Sequence, residues 1–354
     1  SRAAPRGGQS RTAAGLAGRP CAPVNTSPAA YAVGSHAAVP PTYRGAMRVR
    51  TVLSRAEWGP LADAHAARVD RFVRPHLERR EARVKHPVHD FLFTYYSQRP
   101  AQLRRWHPGV GVALEDAPEH EGWKGYRVVP PSGRHGARSG ARVEVDPAYV
   151  ASQRPLVEGI RRLLVATASR PAQLGCFGLH EWAMVYRGGD DALRHGSVPL
   201  RLGHEGTDQV VESMNLRCTH YDAFRFFTRD AVPRNALPLE PTGRTQSEQP
   251  GCVHATMDLY KWSYKLAPLI ESRLVADCFE LALSARGIDM RASPYDLSEY
   301  GLDPIAIETP AGRAEYVRAQ TDLMARAAPL RSELIARCQN LLVSVDAIAG
   351  LTAE

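Results

Sequence analysis

The amino-acid sequence changes character near residue 47, and this change sets what the chain can fold into. Residues 1–46 are rich in Ala, Gly, Pro, Arg and Ser, and their few apolar residues follow neither helical nor strand spacing. Such a segment cannot bury enough apolar surface to offset the entropy lost on ordering. We therefore predict a disordered basic arm over 1–46, one large folded domain over 47–342 and a C-terminal tail over 343–354.

The arm also carries most of the net charge. The chain of 354 residues has a formal charge of +8, and seven of its 45 basic residues are arginines in residues 1–50, which contain no Asp or Glu. The remaining residues thus hold 38 basic and 37 acidic side chains, a net charge of +1. The total charge therefore gives no argument that the folded domain binds nucleic acid.

Three interpretations of the arm stay open. Its Arg-rich, acid-free composition with several serines is typical of an organelle transit peptide. A basic segment of this kind can also contact nucleic-acid phosphates. Alternatively, the segment is an extension upstream of a natural start at Met47.

The rest of the composition is typical of a cytoplasmic protein. The six cysteines are widely separated and form no C-x-x-C pair, so we expect reduced thiols. The longest apolar runs, such as Leu163–Ala168, are too short to cross a bilayer, and we expect no membrane partner. The sequence gives no expectation for the oligomeric state.

Apolar spacing predicts a mainly α fold with a small β insertion (α+β), built as a single large helical domain. The insertion is 109–147, where Gly and Pro are frequent and short alternating segments suggest strands. The segments with helical spacing are Pro155–Ala168, Cys252–Ile270, Ser272–Ala285 and Pro310–Leu342.

Three local patterns give further expectations. Ser54 followed three residues later by Glu57 is a capping-box pattern that can open a helix, although Gly59-Pro60 is expected to interrupt it before a polar helix over Leu61–Arg83. Val210-Val211 is β-prone. Ser272 is a candidate N-cap for its helix.

Side chains capable of chemistry concentrate between residues 176 and 280. Because aromatic and apolar residues surround them, these polar groups need partners and are unlike scattered solvated charges. The candidate residues are His180, Glu181, Trp182, Arg217, His220, Tyr221, Asp222, Arg225, Gln249, Cys252, His254, Asp258, Lys261, Trp262, Asp277 and Glu280.

A metal site is one hypothesis for these residues. His254 and Asp258 are four residues apart, and Asp277 and Glu280 three, so each pair lies on one face of its helix. Two antiparallel helices can then present four ligands to iron, manganese or zinc. The candidate ligands are His180, His220, His254, Asp258, Asp277 and Glu280, with Glu181 and Asp222 nearby.

Two observations limit the metal hypothesis. His180-Glu181 does not begin the zinc-protease motif H-E-x-x-H, because position 184 is Met. Histidines and carboxylates can also form a polar layer in which they bond to one another and to the backbone, with no ion.

Hydrolysis of a glycosidic bond is a second hypothesis, and it needs no cofactor. It requires a carboxylate that stabilises an oxocarbenium-like centre or activates water, an aromatic slot for an extruded base, and cations for the DNA backbone. The catalytic candidates are Asp258, Asp222, Glu181 and His180. The candidates for substrate binding are Trp182, Arg187, Arg217, His220, Tyr221, Arg225, Gln249, His254, Tyr260, Lys261 and Trp262, although the aromatic residues also suit a packed core.

Nucleophilic catalysis has little support in the sequence. Cys252 and His254 are close along the chain, but this spacing alone does not make a catalytic pair. The sequence contains no G-x-S-x-G motif, no dinucleotide-binding fingerprint and no P-loop.

Six segments of the sequence are long and specific: HPVHDFLFTYYSQRPAQLRRWHPG (86–109), GCFGLHEWAMVYR (175–187), HYDAFRFF (220–227), QPGCVHATMDLYKW (249–262), DCFELA (277–282) and MRASPYDL (290–297). They resemble a family of actinobacterial proteins commonly labelled 3-methyladenine DNA glycosylase, and the resemblance covers about residues 50–340. It implies base-excision repair of DNA, in which an N-glycosidic hydrolase releases alkylated purine bases.

Three functions therefore remain open at this point. The first is the DNA glycosylase, with DNA as partner. The second is a metal-dependent enzyme that acts on a small molecule, with an oxygenase as one option. The third is a non-catalytic protein that binds a small molecule or nucleoside in a polar pocket.

Overall fold

Helices dominate the folded part of the chain. The computed structural model describes residues 51–131, 141–189 and 198–351, with side chains as far as 346. It is 59% helix and 7% strand, so the prediction of a mainly α fold with a small β part is confirmed. The predicted arm, 1–46, lies outside the described residues, all of which belong to one unit. Among the described helices, none is long and apolar enough to cross a membrane.

Four strands and thirteen α-helices occur in the described residues. The strands are β1 (Thr51–Leu53), β2 (Val112–Glu115), β3 (Tyr126–Val129) and β4 (Arg142–Val145). The helices are α1 (Arg55–Glu81), α2 (Phe91–Tyr95), α3 (Pro100–Leu103), α4 (Pro118–Glu121), α5 (Pro147–Ser152), α6 (Arg154–Ala168), α7 (Leu179–Ala183), α8 (Gly203–Ser213), α9 (Tyr221–Phe224), α10 (Arg244–Ser247), α11 (Val253–Leu266), α12 (Ser272–Arg291) and α13 (Pro310–Leu351).

Helix α11 lies at the centre of the fold. Eleven of its 14 residues are buried, which is the pattern of a helix covered on all sides rather than on one face. It packs chiefly against α12, while the long α13 contacts α6, α11 and α12. Helix α6 buries a single stripe that includes Val157, Ile160 and Leu164, as its predicted periodicity requires.

The small sheet lies beside the start of α1. Its strand order is β1-β2-β4-β3, with β1 parallel to β2 and the other two pairs antiparallel. The side chain of Trp58 on α1 packs against Leu114 of β2 and Val143 of β4. The predicted insertion, 109–147, thus supplies three strands, and the short β1 completes the sheet.

The helix that begins after Ser54 does not stop at Gly59-Pro60. Helix α1 runs from Arg55 to Glu81 and contains both Pro60 and Pro75. A proline removes one helical hydrogen bond and favours a kink or a break. Here Trp58, Val69 and Val73 are each no more than 1% exposed, and His76 is buried too, so packing on both sides of each proline holds the helix together.

Three other expectations need correction. Val210 and Val211 lie in helix α8, because both are buried on its inner face and packing overrides their β propensity. Ser272 is inside α12, where its hydroxyl donates to the carbonyl of Arg105 instead of capping the helix. The chain after Leu342 is not a separate tail, since α13 continues to Leu351.

Candidate functional site

Histidine and carboxylate side chains meet in two clusters at the N-terminal half of α11. The Asp258 cluster consists of His220, Glu248 and Asp258, and the His180 cluster consists of His180, His254 and Asp289. Within each cluster, one ligand atom from each residue lies within 4.8 Å of the others. Since His254 and Asp258 are one turn apart on α11, this helix contributes to both clusters.

The Asp258 cluster contains buried polar atoms that converge without bonding. Nε2 of His220 is 3.3 Å from Oδ2 of Asp258 and 3.6 Å from Oε1 of Glu248. The 3.3 Å contact lacks hydrogen-bond alignment, so we treat it as electrostatic. Within the described residues, both ring nitrogens of His220 and Oε1 of Glu248 have no hydrogen-bond partner. Such groups are rare in folded proteins and call for an explanation.

Two cations and a tyrosine surround this cluster. Nζ of Lys261 lies 2.8 Å from Asp222 and 3.3 Å from Asp258. Arg244 also pairs with Asp222, and its Nε is 3.7 Å from Oε1 of Glu248. The hydroxyl of Tyr96 donates to Oδ1 of Asp258 at 3.1 Å. Three carboxylates therefore face two permanent cations.

The charges in and around the Asp258 cluster shift one another's pKa values. Burial alone raises the pKa of Asp258, but Lys261 and His220 hold it well below its usual range. Burial raises the pKa of Glu248. Burial lowers the pKa of His220, yet the nearby charges of Glu248 and Asp258 outweigh this effect and raise it. The carboxylate of Asp258 is therefore ionised at neutral pH.

The His180 cluster is a connected network. Nε2 of His180 donates to Oδ1 of Asp289 at 2.7 Å, and its Nδ1 lies 3.5 Å from Sγ of Cys176. The guanidinium of Arg286 donates to Asp289 at 3.1 Å and to Glu181 at 2.8 Å. Because both ring nitrogens of His180 already have partners, this cluster is less suited to a cation than the Asp258 cluster.

The ring of His254 separates the two clusters. It lies edge-on to the ring of His180, with 4.4 Å between centroids, and stacks on His220 at 5.3 Å. Burial and the neighbouring His180 hold the pKa of His254 well below its ordinary value. Burial also lowers the pKa of His180, but the charge of Asp289 raises it further than burial lowers it. The two neighbouring rings therefore differ in their affinity for a proton, which is lowered at His254 and raised at His180.

Many of the residues singled out in the sequence do come together. His220, Asp222, Asp258 and Lys261 form the Asp258 cluster and its surroundings, and Nε of Arg225 reaches to 3.8 Å from Asp222. The region between residues 176 and 280 therefore holds much of the site.

Asp277 and Glu280 do not belong to it. Both project from α12 toward α1, where Arg68 donates to Asp277 at 2.8 Å and to Glu280 at 2.9 Å. Their spacing of three residues does place them on one helix face, but that face is turned away from the histidines. The prediction that they are metal ligands is therefore corrected: they are ion-pair partners of arginine.

The predicted stacking residues are mostly part of the core. Trp182 and Tyr260 are fully buried, and Trp262 is 9% exposed. The indole of Trp182 donates to the carbonyl of Ala292 at 2.8 Å, which fixes its orientation. Tyr221 is half-buried. A nucleobase cannot stack on the buried rings without a rearrangement, so these residues follow the alternative interpretation of core packing.

The remaining candidates for substrate binding lie elsewhere. Arg187 is exposed and pairs with Glu212 at 2.7 Å. Arg217 lines a surface cleft of about 620 Å³. The side chain of Gln249 is buried and accepts hydrogen bonds from the backbone of Gln173 and Gly251 at 2.9 and 2.7 Å, so it fastens two loops together.

Sequence reasoning missed five residues of these networks: Cys176, Arg244, Glu248, Arg286 and Asp289. Glu248 directly precedes Gln249, but nothing in its neighbourhood marks it as buried. Arg286 and Asp289 are three residues apart on α12, a spacing that signals an ion pair. Their partners lie more than 100 residues away along the chain, so spacing could not reveal them.

Comparison with known proteins gives no relative on which to base a function. No family model, no curated protein and no solved structure matches the chain.

Proposed function

We propose that this protein is a metal-dependent enzyme in which His220, Glu248 and Asp258 bind a divalent cation. One observation carries the proposal: Nε2 of His220 and Oε1 of Glu248 are buried beside Asp258, and the described residues offer neither a hydrogen-bond partner. A divalent cation satisfies all three ligands at once.

The spacing of the ligand atoms supports this assignment. Nitrogen and oxygen ligands lie about 2.1 Å from zinc, so two neighbouring ligand atoms around a tetrahedral ion are about 3.4 Å apart. The two distances from Nε2 of His220 are 3.3 Å to Asp258 and 3.6 Å to Glu248. A cation fits between these atoms with little movement of the side chains.

The number of ligands favours a catalytic site over a structural one. Structural zinc sites are usually closed by four protein ligands, whereas catalytic sites have three and leave a position for water or substrate. One histidine with two carboxylates suits iron, manganese or zinc. Tyr96, which donates to Asp258, and Lys261, which contacts the other oxygen, orient that carboxylate from outside.

Metal binding is tested on the purified full chain after chelation and dialysis. Fe²⁺, Mn²⁺ and Zn²⁺ are added separately, and the bound ion is measured by elemental analysis and titration calorimetry. We expect one ion per chain and a rise in the unfolding temperature that grows with metal concentration. Glu248→Gln keeps the shape of the ligand but removes its charge, and we expect at least about 10-fold weaker binding.

Glu280→Gln is the matched control, because Glu280 pairs with Arg68 away from the cluster. It should bind metal as the unaltered protein does. If none of the three ions binds or stabilises the protein, the cluster is an ion-pair network and the proposal is wrong. If Glu248→Gln and Glu280→Gln bind equally well, the metal lies elsewhere.

The DNA glycosylase implied by the family resemblance is the second candidate. One observation favours it: the ionised Asp258 lies next to a group of cations, with Lys261, Lys265 and Arg244 between 4.7 and 5.9 Å from the ring of Trp262. A carboxylate beside cations suits hydrolysis at a sugar carbon close to a phosphate backbone.

The two candidates respond differently to a chelator. A glycosylase of this kind releases alkylated purines from methylated DNA without added metal, and Asp258→Asn abolishes the release. A metal-dependent enzyme loses activity in chelator and regains it when the ion returns. If no base is released from methylated duplex or single-stranded DNA, the second candidate is rejected.

A further inference from the structure

Cys176, His180 and Asp289 form a hydrogen-bonded chain. Sγ of Cys176 is 3.5 Å from Nδ1 of His180, and Nε2 of the same ring is 2.7 Å from Oδ1 of Asp289. Since Asp289 accepts the proton on Nε2, the ring presents Nδ1 to the sulfur. A nucleophile, a base and a group that orients the base, connected in this order, are the parts of a catalytic triad.

We propose that Cys176, His180 and Asp289 are a catalytic triad that hydrolyses an acyl ester or thioester whose acyl part carries a negative charge. Cys176 is the nucleophile and His180 the general acid and base. Asp289 is a positioning residue that holds the ring of His180.

Cys176 lies next to a surface cleft and lines a small cavity. Its neighbours Gly175 and Phe177 line the surface cleft of about 620 Å³. Cys176 itself is half-buried and lines a smaller cavity of about 10 Å³, together with His180. A space of this size is near the minimum that holds one water molecule. We place the substrate in the cleft, next to the half-buried Cys176, and a water in the small cavity beside the imidazole.

The backbone beside Cys176 adopts an unusual conformation. Phe177 has a φ of 51° and Gly178 a φ of 74°, and both lie in the left-handed region. A residue with a Cβ, such as Phe177, adopts this conformation only at an energetic cost. Strain of this kind clusters at functional sites, where it presents a side chain in a fixed direction.

The charges of the cleft favour an anionic substrate. Arg217 and Arg313 line it together with Glu308. Both carboxylate oxygens of Glu308 are already paired with Arg201, at 2.6 and 3.0 Å. Its charge is thus largely compensated, which leaves Arg217 and Arg313 to attract a carboxylate or phosphate on the acyl part.

The reaction follows from these positions. The proton of the Cys176 thiol passes to Nδ1 of His180 as the sulfur bonds to the carbonyl carbon. The bond from that carbon to the leaving group breaks, and the leaving alcohol or thiol takes the proton from Nδ1. A water molecule then gives a proton to Nδ1 and its oxygen bonds to the acyl carbon. The carbon–sulfur bond breaks, the sulfur regains its proton, and the carboxylic acid is released.

The triad shares no residue with the proposed metal ligands, so each proposal can fail without the other. Among the described residues, the other titratable side chains that face the pair of Cys176 and His180 are His254, which touches the ring of His180, Tyr316, and the thiols of Cys218 and Cys252. Burial raises the pKa of both of these thiols, so they stay protonated at neutral pH and do not compete as nucleophiles.

The first test is alkylation of the full chain, with the product at each cysteine measured by peptide mass spectrometry. With iodoacetamide at pH 7, we expect Cys176 to react about 10-fold faster than N-acetylcysteine, because Nδ1 of His180, 3.5 Å from the sulfur, accepts the thiol proton as the sulfur reacts. The neutral iodoacetamide is then compared with the anionic iodoacetate. We expect relatively faster reaction with iodoacetate at Cys176 than at N-acetylcysteine, and Arg217→Gln should remove this preference.

Variants separate catalysis from folding. His180→Gln should slow alkylation of Cys176 about 10-fold and move the midpoint of its pH profile up toward that of N-acetylcysteine. Asp289→Asn should shift the profile in the same direction by less. His204→Gln, an exposed histidine, is the control and should change neither. If His180→Gln does not fold, the pH profile of the unaltered protein still decides the question.

The second test uses p-nitrophenyl acetate and the anionic p-nitrophenyl succinate. We expect a burst of one p-nitrophenolate per chain, an acyl group on the Cys176 peptide, and no burst with Cys176→Ser. Cys252→Ser should retain the burst. The proposal is overturned if Cys176 reacts no faster than N-acetylcysteine with the same pH midpoint, or if the acyl group is found on another residue.

Discussion

Arg286 provides the sharpest test of how this core tolerates charge. Its side chain is 1% exposed, and it donates to Glu181 at 2.8 Å and to Asp289 at 3.1 Å. Its guanidinium also lies 3.9 Å from the centre of the Phe91 ring. The guanidinium is a permanent cation in contact with both carboxylates. Replacing it by Met leaves the volume nearly filled but removes this positive charge.

The expected loss is large. Removing one partner of a buried ion pair costs about 3–5 kcal/mol, because the remaining charge is left uncompensated. We therefore expect Arg286→Met to lower the free energy of unfolding in urea by about 4 kcal/mol at pH 7. Arg326→Met is the control, since Arg326 is half-exposed in its pair with Asp322, and its loss should stay below about 1 kcal/mol.

A double-mutant cycle tests the reasoning itself. If the loss in Arg286→Met comes from the uncompensated carboxylates, Glu181→Gln should reduce the cost of a second change at Arg286. The double variant should then be more stable than the sum of the two single losses predicts, by at least about 1 kcal/mol. Strictly additive losses, or a loss below about 1 kcal/mol in Arg286→Met, would refute the argument that charge balance holds this part of the core together.

Three further predictions concern stability, each measured as the free energy of unfolding in urea. Burial lowers the pKa of His107 to about 3, whereas the unfolded chain binds a proton at this residue below about pH 6.5, so the protein loses stability as the pH falls through that range. His107→Asn should remove about 2 kcal/mol of the stability loss between pH 7 and pH 5, and an unchanged loss would contradict this. Gly178→Ala should cost about 2 kcal/mol, since the φ of Gly178 is 74° and the new Cβ lies 3.0 Å from a neighbouring side chain. Gly287→Ala, in open space on α12, is the control and should be neutral or stabilising, so equal effects of the two changes would contradict this reasoning. Leu334→Ala should cost about 3 kcal/mol because Leu334 is fully buried, and Leu61→Ala, at a position 51% exposed, should cost under about 0.5 kcal/mol; similar losses would show that α13 is not packed as described.

The helices were predictable where apolar spacing coincides with burial. Helix α6 begins one residue before the predicted Pro155 and ends at the predicted Ala168. Helix α11 also lies within its predicted segment. The errors occurred where local preference opposes tertiary packing, as at Pro60, which α1 passes through, and at Val210, which is buried in α8. Local rules describe the isolated segment, whereas the fold is decided by what that segment packs against.

The site was predictable as a region but not as a set of partners. Enrichment of histidines and carboxylates among apolar residues located His220, His254 and Asp258 correctly near one another. It could not supply Glu248 or Asp289, because each reaches its histidine through the fold and neither follows a helical spacing from it. The error at Asp277 and Glu280 had the same origin: their spacing placed them on one face of α12, but not on the face that meets α11.

The sum of the charges in and around the Asp258 cluster indicates which further ligand a bound metal would require. Asp222, Glu248 and Asp258 face the largely buried Lys261 and Arg244, whereas Arg225, 3.8 Å from Asp222, is half-exposed and screened by solvent, so the buried groups leave one negative charge, which a proton on His220 balances. A metal ligand must be a neutral imidazole, so binding a divalent cation exchanges one positive charge for two. The occupied site then has one positive charge in excess. A buried site cannot keep an uncompensated charge without a large desolvation cost, so an anionic ligand is the one that restores neutrality at the open position of the metal.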